Sequence, residues 1–589
     1  MNASPATSGR RKTARLHATP ERLRSAMVSR ESISAAIFLA TACYITHFLH
    51  LTSVGLYEDD FGFISPTFNE TWAGFGHALV TDLTTWPQGR PLSWAAASLF
   101  GFLGYHAGGL VFLHLLGFFI LTANAFLCYK LLRGRLPAQH AAFGALVFCA
   151  YPADTSQLFV VNFFFVHLAM TALLAALLAY RRDRRILSYV LAAAAFLWYE
   201  MMFIPFFAAP LLTRGRGASF WRRIRTHGAI LACFLVVALF LRQHLGDSRV
   251  EELNGHLGAT LAKIIASLWI GPYTVLKLAV LRTANLAGHL DVEILLVMAV
   301  SAGLAALYWG MSPREAQEEG CERYALRTRF VSLSTQLDVA RPLPQILSSG
   351  LTGVVFLILG YALVFRDSYF PPTWEYGRFS IVHLAGSFGG AMVAGALSWL
   401  AVFLAQSYGK RMIAVAVLAL YIGTLVAFHF TVQREFAEAW NIERRFWAGV
   451  IRTCPDLQDG TIIFHEQQYN YITYALANAW SDAVILPQLL HFPTTWQKVP
   501  RVFSVPLNWK DQVEQDGTGL KWLVPAAQWA PHWEPLDPSN VILLRQTGPG
   551  RFERLTGSVQ IKGKEYRLKQ PQPAARAFPH EPLFHYLAE

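Results

Sequence analysis

Charged side chains are scarce in this chain. Only 15% of its 589 residues are Asp, Glu, Lys or Arg, where a soluble protein of this length has about a quarter. Cysteine is scarce too, at 6 residues. Cys43, Cys128, Cys149 and Cys233 fall in apolar runs, Cys321 in an expected inner loop, and Cys454 alone in the C-terminal region. No pair stands at metal-ligand or framework spacing, so neither zinc nor a disulfide scaffold is implied. The sequence also lacks a Walker loop, a strand-associated GxGxxG and a GxSxG. His580-Glu581-Pro582-Leu583-Phe584-His585 is not HExxH, because the spacing is one residue too long and Pro582 opposes a helix.

Long apolar runs are what the chain has in excess. Hydrophobic residues make up 54% and aromatics 14%. They come in blocks of roughly 18–25 residues, separated by Arg-rich or aromatic-rich stretches, which is the pattern of a polytopic helical membrane protein. The blocks are continuous rather than alternating, which argues against a transmembrane β-barrel. About eleven spans are expected, at 33–54, 108–132, 138–153, 160–180, 188–199, 201–212, 228–245, 292–310, 346–365, 381–405 and 412–430. The stretches 188–199 and 201–212 are short, and read as a pair meeting at Glu200 or as one span of another register. Residues 91–104 read as a helix lying on or dipping into the membrane.

The net charge of +12 does not point to nucleic acid. Its cations lie in short loops on one side of the spans. Arg10, Arg11, Lys12, Arg15, Arg22, Arg24 and Arg30 precede the first span. Lys130, Arg133, Arg135, then Arg181, Arg182, Arg184, Arg185, then Arg214, Arg216, Arg222, Arg223, Arg225, then Lys410 and Arg411 fall on the same side. The long opposite loop, 55–106, has only Arg90. This bias places the N-terminus in the cytoplasm, and an odd span count then places the tail outside. The reading is therefore a basic cytoplasmic tail (1–32), retained rather than cleaved, and a transmembrane domain (33–430). A small extracytoplasmic α/β domain (431–589) follows, with strands at 461–464, 502–505, 541–544 and 559–561 and a turn at Gly548-Pro549-Gly550.

Glu58-Asp59-Asp60 opens the long outer loop, directly after the first apolar run. A carboxylate at an aromatic-rich, half-dry boundary is a plausible general base for a hydroxyl. Glu58 and Asp60 are also a candidate pair for a divalent cation, Mg or Mn. Arg90 and the pair Arg366 and Arg378 stand in expected outer loops, where guanidinium groups suit a lipid phosphate. Asp154, Gln157 and Glu200 lie at other outer span ends, where an acid is costly unless interfacial, paired or functional. His77, His106, His167 and His289 are weaker candidates.

This order of features resembles the GT-C superfamily of membrane glycosyltransferases. The acid trio looks like that group's acidic signature in the first outer loop, and Gln88-Gly89-Arg90-Pro91 like its Gly-Arg-Pro element. Tyr199-Glu200 and Gly377-Arg378-Phe379 are similar to weaker features of the same group. The resemblance implies a GT-C-like fold in a bacterial inner (plasma) membrane. It implies a polyprenyl-phosphate-linked sugar donor and an acceptor hydroxyl on a glycan, lipid or protein. Transfer of a hexose or pentose would occur on the outer face with inversion at the anomeric carbon. Asp59 or Asp60 would be the base, with Glu58 as neighbour or metal ligand. Arg90 and Arg378 would hold the phosphate. The competing readings are a transporter or flippase of lipid-linked saccharides and a polysaccharide ligase or polymerase.

Overall fold

The computed structural model describes residues 20–213, 217–245, 257–311, 342–363, 372–466, 481–506, 508–516, 519–524, 532–573 and 577–589. Arg366 and Cys321 lie outside the described residues. The chain is an integral membrane protein of mainly α class. Among the described residues, seven helices are long and apolar enough to cross a membrane. They are Pro91–Leu132, Val160–Arg181, Ala218–His244, Gly258–His289, Val292–Gly310, Gly377–Ser407 and Arg411–Thr453. Ala138–Cys149, Arg185–Trp198, Glu200–Leu212 and Leu343–Leu359 are apolar but shorter.

The first helix, α1 (Pro20–His47), starts in the basic segment and stops short of residue 54. The loop after α1 then forms α2 (Asp59–Phe63) and α3 (Trp72–Thr85) before α4 (Pro91–Leu132). Helix α3, capped by Thr71 accepting from the Gly74 amide, was not expected. The surface helix and span expected at 91–104 and 108–132 are the two arms of α4, which breaks at Gly108 and Gly109. Gly109 has φ 67°, and a Cβ there would meet the Tyr586 hydroxyl at 2.1 Å. Then come α5 (Ala138–Cys149), α6 (Val160–Arg181), α7 (Arg185–Trp198) and α8 (Ala218–His244). Glu200 does stand between two short helical stretches, α7 and the 3-10 segment Ile204–Leu212.

One long helix went unseen in the sequence, α9 (Leu257–Asn285). Lys263, Pro272, Lys277 and Arg282 punctuate its apolar runs, yet the stretch is apolar enough to cross a membrane. Next follow α10 (Val292–Met311), α11 (Leu343–Leu359), α12 (Ser387–Ser407) and α13 (Arg411–Thr453). Helix α13 is continuous through residue 430, where the sequence suggested a domain border. No Gly or Pro falls between 424 and 448 to stop it.

Small residues set the crossing of α11 and α12, as in many membrane helix pairs. A Cβ at Gly389 would stand 2.1 Å from the Leu357 amide nitrogen. Gly389→Ala therefore forces the helices apart, an overpacking cost of about 1–3 kcal/mol. Thermal melting of the purified variant checks this, and an unchanged midpoint would contradict it.

The C-terminal region holds a sheet in the order β2-β1-β6-β7, from β1 (Ile462–Glu466), β2 (Arg501–Val505), β6 (Val541–Gly548) and β7 (Arg551–Leu555). The first three run parallel and β7 antiparallel. Helix α14 (Asp482–Leu489) lies between β1 and β2, the crossover a parallel pair needs. Strands β3 (Val513–Asp516), β4 (Gly519–Val524) and β5 (His532–Leu536) form a second, antiparallel sheet, and β8 (Ser558–Ile561) with β9 (Lys564–Arg567) a hairpin. Phe464, Phe503, Trp509 and Trp522 fill the core. The expected strands fall on β1, β2, β6 and β8, and the Gly548-Pro549-Gly550 turn joins β6 to β7.

Direct contact puts the C-terminal region against the loop that follows α1. The Tyr57 hydroxyl donates to the Phe436 carbonyl at 2.7 Å, and Gln488 bonds the Phe61 carbonyl at 2.9 Å.

Candidate active site

The loop that leaves α1 is pinned before it reaches the acids. A Cβ on Gly55 would fall 2.0 Å from the Trp440 ring on α13, so only glycine fits. The Gly55 carbonyl accepts from His114 at 3.1 Å. At Glu58 the backbone turns through φ 44°, ψ −107°, a region costly for a residue with a side chain and common at functional sites. This turn starts α2 and separates Glu58 and Asp59, which face one guanidinium, from Asp60, which faces backbone amides.

Asp60 points inward and is 0% exposed. One oxygen accepts from the Tyr57 and Val160 amides at 3.0 and 3.1 Å, the other from Val161 at 2.7 Å. It caps the start of α6 across a hundred residues of sequence, where helix amides lack partners. Burial pushes its carboxyl up to about 8, against the three N–H donors that hold it down. Glu58 is also buried, at 4% exposure. Asp59 keeps a side-chain exposure of 26%. It is thus the most exposed side chain of the trio.

Arg378 joins the loop from the other half of the chain. Its guanidinium forms an ion pair with Asp59 and approaches Glu58 at 3.3 Å. The segment that carries it is knitted to the turn at 154–157. The Gly377 amide donates to the Thr155 hydroxyl at 2.9 Å, and the Thr155 amide to the Ser380 hydroxyl at 2.8 Å. Asp154 accepts from the Ser156 amide and hydroxyl at 2.9 and 2.6 Å, and Gln157 reaches it at 3.4 Å. Burial raises the Asp154 carboxyl, and these donors oppose it. Asp154 and Gln157 therefore brace the turn that presents Arg378.

Arg90 and Glu200 come together in a second group. Arg90 grips Glu200 with two bonds, at 2.8 and 2.6 Å, and stacks on the Tyr199 ring at 3.8 Å. Arg242 donates to the Gly89 carbonyl at 2.7 Å and reaches Glu200 at 3.4 Å. Two guanidiniums thus converge on one carboxylate in a mostly buried place. The turn before Arg90 is strained, with positive φ at Trp86, Gln88 and Gly89 (51°, 53° and 67°). Phe63 packs edge-on against Trp94 at 4.8 Å, which ties the acid loop to the first turn of α4 beside Arg90.

Several residues of this region escaped the sequence reading. Arg242 sat inside an expected span, where a cation should have stood out, and Glu443 fell on the apolar face of α13 with Phe436, Trp440 and Trp447. Glu443 is 1% exposed and lies within electrostatic reach of Glu58 and of Asp482 on α14. Of the histidines, His77 and His289 are exposed and His167 is buried, while His106 bonds the Phe102 carbonyl at 3.0 Å.

Glu58 and Asp60 do not fit a divalent cation in this arrangement. Both oxygens of Asp60 take backbone N–H bonds, and Glu58 faces a guanidinium. Among the described residues, no three His, Cys, Asp or Glu side chains are grouped to hold a metal ion.

No family model matches the chain, and no curated protein matches it. Two solved structures are similar to it. One is ArnT from Cupriavidus metallidurans bound to undecaprenyl phosphate, at 14% identity and TM-score 0.31, covering 77% of this chain and 85% of that one. The other is the same protein in the apo state, at 16% identity and TM-score 0.28, covering 77% and 86%. Likeness at this level carries no argument about the chemistry of this chain.

Proposed function

We propose that the protein is an inverting glycosyltransferase of GT-C type. It moves a hexose or pentose from a polyprenyl-phosphate donor to an acceptor hydroxyl at the outer surface of a bacterial inner membrane. The observation that supports this reading most is the Asp59–Arg378 pair, a partly exposed carboxylate fixed between two buried ones in the loop that follows the first span. The cation-rich loops on the opposite side support the outer-face orientation.

In this reading Asp59 takes the acceptor hydroxyl proton as the oxygen attacks the anomeric carbon. The bond from that carbon to the phosphate oxygen breaks, and its electron pair leaves on the lipid phosphate. Attack opposite the leaving group inverts the centre. A phosphate leaves as a weak base, so cations serve it better than a general acid. Arg378 faces Asp59 and stands where charge develops. Arg90 and Arg378 hold the phosphate. Asp60 is a positioning residue, and no step passes through a metal.

Lipid profiling of cells with and without the intact gene product tests the reading. The expected result is a hexose or pentose missing from one glycolipid or glycan, together with build-up of its polyprenyl-phosphate precursor. Unaltered glycolipids and glycans under conditions where the protein is made would overturn it.

A further inference from the structure

Helix α2 carries the candidate base and is five residues long. A helix that short cannot hold itself together, because its end groups outnumber its internal bonds. Its first turn is held from outside by Asp60 on the Val160 and Val161 amides. Its third residue is held by a side chain more than four hundred residues away, in the C-terminal region.

That side chain is Gln488, on α14, with 9% exposure. Its amide nitrogen donates to the Phe61 carbonyl at 2.9 Å and to the Val484 carbonyl of its own helix at 2.9 Å. Its amide oxygen accepts from the Ser65 hydroxyl, which also lies 3.1 Å from the Phe61 carbonyl. The amide is used as donor and acceptor at once. A leucine would fill the space without the desolvation cost of a polar group, so the amide gives direction and register rather than bulk.

We infer that Gln488 is a positioning residue for Asp59, and that the C-terminal region is a working part of the catalytic face. The inference rests on Asp59 being the base. Asp60 and Gln488 hold α2 at its second and third residues, directly after Asp59, which faces Arg378.

The test uses the full-length protein in nanodiscs, as wild type, Gln488→Met, Gln488→Glu and Ser65→Ala. Amide hydrogen exchange is followed over 57–65, with β1, β2 and β6 as internal controls for folding. Gln488→Met should speed exchange in 57–65 about fivefold or more, while the strands stay protected. Transfer kinetics should show kcat down about 10- to 100-fold with KM for the donor little changed. Gln488→Glu, which cannot donate to Phe61, should behave like Gln488→Met. Ser65→Ala removes one bond from the other side and should show a smaller loss of the same kind. Unchanged exchange in 57–65 overturns the clamp. Faster exchange with unchanged kcat overturns the positioning role. Wild-type protein that transfers no sugar overturns the reading of Asp59, and the catalytic role of Gln488 with it, whatever the exchange shows.

Discussion

Asp59→Asn lowers the rate of sugar transfer by about 10²- to 10⁴-fold, the range that a positioned general base contributes, and leaves the protein folded. The amide keeps the shape of the carboxylate but cannot accept the acceptor proton. The structural cost is small because the Asp59 side chain is partly exposed, where an ion pair is worth about 1 kcal/mol or less. Arg378 retains Glu58 as a partner. Donor KM should change little, since the lost interaction is made with the acceptor proton in the transition state. Initial-rate kinetics and a thermal melt of the same preparation measure both halves of this expectation. Full turnover in Asp59→Asn would contradict the assignment of the base.

Asp60→Ala has the opposite profile: it acts on the fold. It strands three amides in a site with no exposure. Each unsatisfied buried donor costs about 1–3 kcal/mol, so the sum is a large share of the roughly 5–15 kcal/mol that holds a typical protein folded. The variant should accumulate poorly in membranes and melt well below wild type. Asp60→Asn retains one acceptor oxygen and should fall between the two. Membrane yield and melting of Asp60→Ala equal to wild type would show that the cap at the start of α6 is dispensable. Adjacent residues of one chemistry are thus separated by where they point, Asp59 to Arg378 and Asp60 to backbone.

The sequence made that separation illegible. Glu58, Asp59 and Asp60 follow one another at a membrane boundary, and nothing in their spacing says which turns inward. The turn at Glu58, with positive φ at a residue that carries a Cβ, decides it. Arg90 and Glu200 were each legible as costly ionisable groups near span ends, but not as partners, because their pairing depends on the fold between them. Arg242 completes that pair from a helix whose apolar run concealed it. The apolar blocks made most helices readable, and the alternation of Val, Ile and Phe exposed four strands in the tail. Helix α9 was passed over where Lys263, Lys277 and Arg282 break up its apolar runs, although its hydropathy suffices for a span. Helix α13 was legible on both sides of Phe430, from its apolar run before it and from the helical spacing of Phe436, Trp440, Phe446, Trp447 and Val450 after it, but hydropathy drops there and suggests a border where the backbone stays helical. The docking of α14 on the acid loop is long-range, and no local pattern announces it.

Purified protein, a polyprenyl-phosphate-linked labelled sugar and a lipid extract as acceptor source make the most direct test of the central proposal. The account predicts a new glycosidic bond of opposite anomeric configuration, one polyprenyl phosphate released per sugar moved, and no product with Asp59→Asn. Passage of the intact lipid-linked sugar across a vesicle membrane, with no glycosidic bond formed, would contradict it.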